Sequence, residues 1–417
     1  MKQRPIAFAA LLSGSLLAGQ LTAPAADWTQ YRGPNGDGKL AETIPGQSQV
    51  ELNVQWTADT ALGFSSFAVA DGKAITIVVD GGKESLAALD AETGNSLWNY
   101  TMGSNDYGHD GGNAGTRDNR GGDGPRSTPA ISGGLVYAYD SHLVLHCVDA
   151  ASGELKWKHD VVAEFGGKNI QWKNASSPVI DEERVYVGGG GAGQAFLAFD
   201  KTSGELNWKT GDETITHATP ALAQIDNQSQ VIYFVQSGLV SIEASTGKEL
   251  WRTVFPFSVS TAASPIVNGN QVYCSAGYGV GAGLFEIGSD HSVKEVWFKS
   301  NELMNHWSTP IVHDGHLYGI FEFKKYGRAP LNCVNLQTGE IIWSEPGFGP
   351  GNCILVGDKL VVLSDAGEVA IVNATPEGYQ ELGRKDVLEG KCWSTPAFSD
   401  GKIYVRSTTQ GACVTVK

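Results

Sequence analysis

Seven residues able to bind or polarise a ligand recur at one place in the sequence. Arg126, Asn174, His217, His306, Trp307, Lys391 and Trp393 each stand just before an SxP or TP signal such as Ser127-Thr128-Pro129 or Ser394-Thr395-Pro396. Two indoles, two imidazoles and three cationic or amide donors suit a planar anionic ligand or a peptide, provided the fold brings them to one place. The same side chains can equally satisfy one another or line a wet channel. Other chemistries have weaker support. The nine histidines contain no HExxH or HxH pair, there is no GxSxG, and the glycine run at residues 188–193 lacks the Lys and Ser of a phosphate loop and reads as a permissive turn. The Gly- and Asp-rich segment 105–124 offers Asp106, Asp110, Asp118 and Asp123 as hard oxygen ligands for Ca²⁺, without the EF-hand order. A mobile or face-covering loop is the favoured reading over Ca²⁺.

The elements that position these residues come from a repeat. Five segments, ending at Trp98, Trp157, Trp208, Trp251 and Trp343, carry an Asp, Glu or Asn eight residues before the Trp and a Gly four before it. A second marker, at Pro129, Pro178, Pro220, Pro265, Pro310, Cys353 and Pro396, recurs every 42 to 49 residues, and a looser copy around Phe67 starts the series. Each unit reads as four antiparallel strands: one at the SxP signal, a VYxx strand after a tight turn, an LxxxD strand and an ELxW strand. Eight such units predict an all-β, eight-bladed β-propeller of four-stranded antiparallel blades, since a ring removes the long exposed edges of an open array. The last unit lacks its Trp-bearing strand, and residues 52–56 are such a strand without the other three. The propeller is therefore expected to span residues 52–417, closed by an N-terminal strand in the last blade, with residues 26–51 as an extension. The tryptophans are expected in the core, sealing the wedge between neighbouring sheets. In a propeller the residues preceding the inner strands converge on one funnel.

The string AxDxxTGxxxW, complete at residues 88–98 and nearly so at 198–208, resembles the tryptophan-docking repeat of the pyrroloquinoline-quinone-like propellers. That resemblance covers residues 52–416. It implies kinship with quinoprotein alcohol dehydrogenases and with the non-catalytic outer-membrane assembly lipoprotein of the same propeller class. The opening WTQYRGPNGDG at residues 28–38 resembles the start of many exported proteins with this repeat. The dehydrogenases characteristically carry adjacent cysteines near the quinone, and a Ca²⁺ or lanthanide held by Glu, Asn and Asp. This chain has no adjacent cysteines and no CxxCH haem site.

Residues 1–25 read as a signal peptide, with Lys2 and Arg4 ahead of a small-and-apolar stretch at 6–17 and Ala23-Pro24-Ala25 before the cut. A periplasmic or secreted protein is expected. No cysteine precedes Cys147 and no later apolar run is long enough to span a bilayer, so neither a lipid anchor nor a transmembrane segment is expected. With 45 acidic against 30 basic residues the net charge is −15, which argues against nucleic acid. Of six cysteines, Cys147, Cys274, Cys333 and Cys413 fall at core places of their units, whereas Cys353 and Cys392 fall at adjacent inner-strand entrances and are candidates for a disulfide, with free thiols as the alternative. The composite expectation is an exported, non-enzymatic propeller that binds a protein, a peptide or a small planar ligand through its funnel and face loops, with no cofactor. A PQQ- and Ca²⁺-dependent dehydrogenase is the alternative.

Overall fold

The computed structural model describes residues 27–46, 48–108, 122–322 and 324–417. The leader at 1–25, Asp110 and Asp118 lie outside the described residues. Eight sheets succeed one another along the chain, each running from an inner to an outer strand. Blade 1 is Ala68–Ala70, Lys73–Asp80, Lys83–Asp90 and Ser96–Ser104. Blades 2 to 7 repeat that order, with inner strands Ala130–Ser132, Val179–Ile180, Ala221–Ile225, Ile266–Asn268, Ile311–His313 and Asn352–Val356. Blade 8 takes Ala397–Ser399, Lys402–Arg406 and Gln410–Val416 from the C-terminal end of the chain and Leu52–Asp59 from the N-terminal side. Leu52 faces Val416 and Trp56 faces Cys413 in that antiparallel ladder, which is the closure expected from the sequence.

The repeated tryptophan and glycine act on each other across the blade boundary. The Trp56 indole donates to Ala91 O at 2.9 Å, Trp98 to Ala150 O at 3.1 Å, Trp157 to Thr202 O at 3.2 Å and Trp208 to Ala244 O at 3.0 Å, each in the turn of the next blade. A Cβ on Gly94, Gly153, Gly204 or Gly247 would lie 2.7 to 2.8 Å from that indole. The glycine therefore supplies both a positive φ and a flat seat. Trp56, Trp208 and Trp251 are buried as expected, but Trp98, Trp157, Trp297 and Trp343 are only partly buried. The VY tyrosines sit deeper: Tyr137 and Tyr139 of blade 2 donate to Lys201 O and Gly188 O of blade 3 at 2.9 and 2.8 Å.

The SxP signal also has a structural cause. At five of the eight junctions around the axis, the N–H of the residue preceding the inner-strand proline, or its counterpart, donates to the hydroxyl of the equivalent residue in the next blade: Ser66 to Thr128 (3.1 Å), Thr128 to Ser177 (2.9 Å), Ser177 to Thr219 (2.9 Å), Ser264 to Thr309 (3.0 Å) and Thr395 to Ser66 (2.8 Å). The following proline has no N–H to leave unpaired on the inner edge.

The N-terminal extension is joined to the blades. Trp28 pairs with Val69 of blade 1, Thr29 O accepts from Ile131 N of blade 2 at 2.7 Å, and Lys39–Leu40 adds a fifth, parallel strand to the inner edge of blade 7. Between these contacts the segment crosses the channel. The fully buried Arg32 anchors it there, donating to Thr309 O (2.7 Å) and Pro310 O (2.9 Å) of blade 6 and to Asp37 O (3.0 Å) of its own loop.

The predicted disulfide is not formed. All six cysteines are free and buried. Cys353 is the second residue of its inner strand and points into the core between blades 6 and 7, 3.8 Å from Tyr318 O, whereas Cys392 packs in the cluster that joins blades 7, 8 and 1. Side chains alternate along a strand, so it is Asn352, one residue earlier, that faces the blade 8 entrance, donating to Trp393 O at 2.7 Å. No described helix is long and apolar enough to cross a membrane.

Candidate functional site

A cavity of about 400 Å³ opens at the funnel face of the propeller. Of the seven residues singled out from the sequence, five line it: Arg126, His217, His306, Trp307 and Trp393. Asn174 and Lys391 do not. Asn174 is buried and works on the backbone, donating to Asp140 O and Ser176 O and accepting from Ser176 N at 3.0 Å. Lys391 is buried as well, and its carbonyl accepts from Thr408 N.

The aromatic wall is already stacked on itself. Trp307 and Trp393 lie with ring centroids 4.1 Å apart and planes at 18°, while Phe64 (5.4 Å) and Tyr326 (6.1 Å) also stack on Trp393. Arg126 reaches in from the approach to blade 2, with its guanidinium 5.7 Å from the centre of the Phe64 ring and 5.6 Å from that of Tyr107, and it donates to Gly122 O at 3.0 Å. Lys324 lies 4.7 Å over the Tyr278 ring. Burial, with the Arg126 cation second, pushes His217 down to about 4. Burial together with His217, Arg126 and Lys324 pushes His306 down to about 3. Both imidazoles are neutral at pH 7.

His217 is fixed in one tautomer. Gln171 O, 3.0 Å from Nε2, can only accept, so Nε2 carries the proton and Nδ1 accepts from the Ser260 hydroxyl at 2.8 Å. This has the connectivity of a nucleophile, a base and an orienting acceptor. Its lowered pKa makes His217 a weak base, poorly matched to drawing a proton from serine at neutral pH.

Behind this wall, Glu84 is fully buried and accepts from the Tyr107 hydroxyl (2.7 Å) and from Ser141 N (3.0 Å). Burial raises it to about 7. Tyr107 thus connects this carboxyl to Arg126.

Sequence reasoning missed Tyr31, Phe64, Trp172, Ser260, Tyr278, Lys324 and Tyr326, all on the cavity wall. Most lie in loops between blades or in hairpin tips, outside the repeat. One signal was available for Tyr31: the glycine-rich WTQYRGPNGDG string belongs to no blade. Tyr31 comes from the segment crossing the channel and forms the floor, so the funnel is blind.

Of the Ca²⁺ candidates, Asp123 lines the cavity, while Asp106 is exposed and accepts from Gly108 N in its own turn. Among the described residues no group of three or more His, Cys, Asp or Glu is arranged to hold a metal ion. Asp123 is the only carboxylate among the described lining residues, and no asparagine accompanies it. This donor set does not fit the Glu, Asn and Asp cradle of a quinoprotein dehydrogenase.

Residues 82–345 match the profile of the family described as outer membrane protein assembly factor BamB. The chain belongs to this family. BamB of Shewanella oneidensis is 23% identical over 67% of this chain and 82% of its own length. The tetrathionate hydrolase of Acidithiobacillus ferrooxidans is 24% identical over 66% of this chain, but the match spans only 49% of that enzyme. The solved quinohemoprotein alcohol dehydrogenase of Comamonas testosteroni superposes with a TM-score of 0.63 at 14% identity, covering 93% of this chain and 80% of that one, a likeness of fold. The propeller thus resembles both the assembly factor and the quinoprotein enzymes. In keeping with a family named for the outer membrane, the protein is periplasmic or secreted.

Proposed function

We propose that this protein is an exported binding propeller that holds a ligand or a peptide side chain in its blind central cavity and uses its face loops for protein contacts, without covalent chemistry of its own. The observation that carries this reading is the cavity itself: a pre-formed aromatic and cationic chamber, closed below by Tyr31 and open on one face, whose serine and histidine are coupled through a weak base. Kinship with an assembly factor supports the protein-binding part. Native mass spectrometry of protein purified from its exporting cell tests the reading, with a retained small molecule or peptide as the expected result. Alcohol-dependent reduction of an artificial acceptor after addition of pyrroloquinoline quinone and Ca²⁺ would overturn it, as would stoichiometric labelling of Ser260 by a fluorophosphonate.

A further inference from the structure

Resting on the binding reading just given, we propose that Glu84 is a proton-operated switch behind the cavity, acting through the Tyr107 phenol to hold or release the Arg126 cation on the cavity wall. The three side chains form a connected line. Glu84, in the blade 1 strand Lys83–Asp90, is fully buried, and the Tyr107 hydroxyl donates to its Oε1 at 2.7 Å. The Tyr107 ring lies 5.6 Å from the Arg126 guanidinium, and of the three only Arg126 lines the cavity.

One proton reverses the first of these contacts. Glu84 Oε2 accepts from Ser141 N at 3.0 Å, and a backbone N–H can only donate, so a proton arriving at the carboxylate goes to Oε1. There the partner can turn round. A phenol donates to an ionised carboxylate and accepts from a protonated one, and burial keeps Tyr107 itself protonated throughout.

The surroundings of Glu84 set when this happens. Burial is the largest influence, and the carboxyl changes charge at about 7. From the blade 2 hairpin Asp140 repels the ionised form, and Asp140 is itself held by His146 Nε2 at 3.3 Å and by the amides of His142 and Val144 at 2.9 and 2.8 Å. The His142 ring is turned to the Ser141 hydroxyl, 3.0 Å away, and Arg126 lies beyond the phenol with Asp123 near it. His217 and His306, lowered to about 4 and about 3, stay neutral near pH 7, so neither imidazole of the wall titrates with Glu84. An ionised Glu84 attracts Arg126 towards the Tyr107 and Phe64 rings, whereas a neutral one leaves the charge of the cation to the cavity. Acid therefore makes the chamber more positive.

Arginine side-chain ¹⁵N NMR of the whole exported chain tests the switch without any ligand. The Arg126 Nε–H signal, assigned by its loss in Arg126→Lys, is expected to titrate with a midpoint near 7. It should stay flat in Glu84→Gln, whose amide copies the protonated carboxyl. In Tyr107→Phe the midpoint should move upward, because the ionised carboxylate loses a donor. At pH 8 exchange of this N–H with water should be several-fold slower in wild type than in Glu84→Gln, and at pH 5.5 the two should agree. A flat signal in wild type, a titration that survives in Glu84→Gln, an unmoved midpoint in Tyr107→Phe, or equal exchange at pH 8 would each overturn the proposal. An empty protein in native mass spectrometry would remove the binding reading and leave this titration standing. A flat Arg126 signal in a protein that retains a ligand would do the reverse.

Discussion

The Thr395 backbone N–H donates 2.8 Å to the Ser66 hydroxyl, joining the last blade to the first at the axis. The same seam is locked further out by Arg406, a buried cation of blade 8 that donates to Thr76 Oγ1 (2.7 Å), Ile77 O (2.9 Å) and Ala61 O (3.0 Å). Ser66→Ala removes the acceptor and leaves a buried N–H orphaned. It should cost about 1 to 3 kcal/mol in urea denaturation, and a melt within error of wild type would show that the ring of hydroxyls is incidental.

Closure by the N-terminal strand gives a second expectation. Trp56 is buried against Gly94 and donates to Ala91 O, so Trp56→Ala should cost about 3 to 5 kcal/mol. The partly buried Trp157 has the same geometry, and Trp157→Ala should cost less. Equal losses in paired denaturation curves would contradict the burial difference.

The crossing segment should behave as a plug. Arg32→Ala deprives the carbonyls of Thr309, Pro310 and Asp37 of their shared donor, so residues 27–45 should detach from the channel. Limited proteolysis is expected to cut the variant within that segment at protease levels that leave wild type intact.

Glu84 makes stability depend on pH in a direction unusual for a carboxylate. Its folded pKa of about 7 lies above the ordinary 4.5, so the folded state holds the proton more tightly than the unfolded state. The stabilisation is therefore complete below about 4.5 and is lost as pH rises through 7, amounting to at most about 3 kcal/mol. His217 and His306 act oppositely: with folded values lowered from 6.5 to about 4 and about 3, they cost stability as pH falls below 6.5. Glu84→Gln isolates the first effect. Between pH 5 and 8 wild type should lose stability relative to this variant, and a constant difference would refute the assignment.

For the cysteines, unfolding under non-reducing conditions should expose six titratable thiols, and the native protein few or none, since all six are buried. Burial also pushes Cys147, Cys353 and Cys413 up to about 12, away from ready oxidation. A Cys353–Cys392 peptide on non-reducing mapping would contradict the structure.

The architecture was legible in the sequence because a propeller repeats its instructions. The Asp and Gly form one blade's turn, on which the previous blade's Trp docks, and the Trp at fixed spacing after them docks on the next blade. The missing strand at the end and the spare one at residues 52–56 specified the closure for the same reason. Arg126, His217, Trp307 and Trp393 could be found because each stands three residues before its inner-strand proline, a place the ring repeats.

What only the tertiary structure decided is whatever depends on one residue's direction or on a segment outside the repeat. Period-2 alternation turns Cys353 into the core and Asn352 to the neighbouring entrance, so a shift of one residue removed a disulfide that spacing alone had suggested. Packing at 4.1 Å made the two tryptophans a wall instead of two platforms. The channel is blind because Arg32 finds its carbonyl partners on blade 6, far along the chain, and holds Tyr31 beneath the site. Local pattern fixes which strands form, since the four repeated strands of each of blades 1 to 7 pair with one another within about 45 residues. The chemistry at the axis depends on side chains from many blades meeting at one point, and no local pattern encodes how they meet.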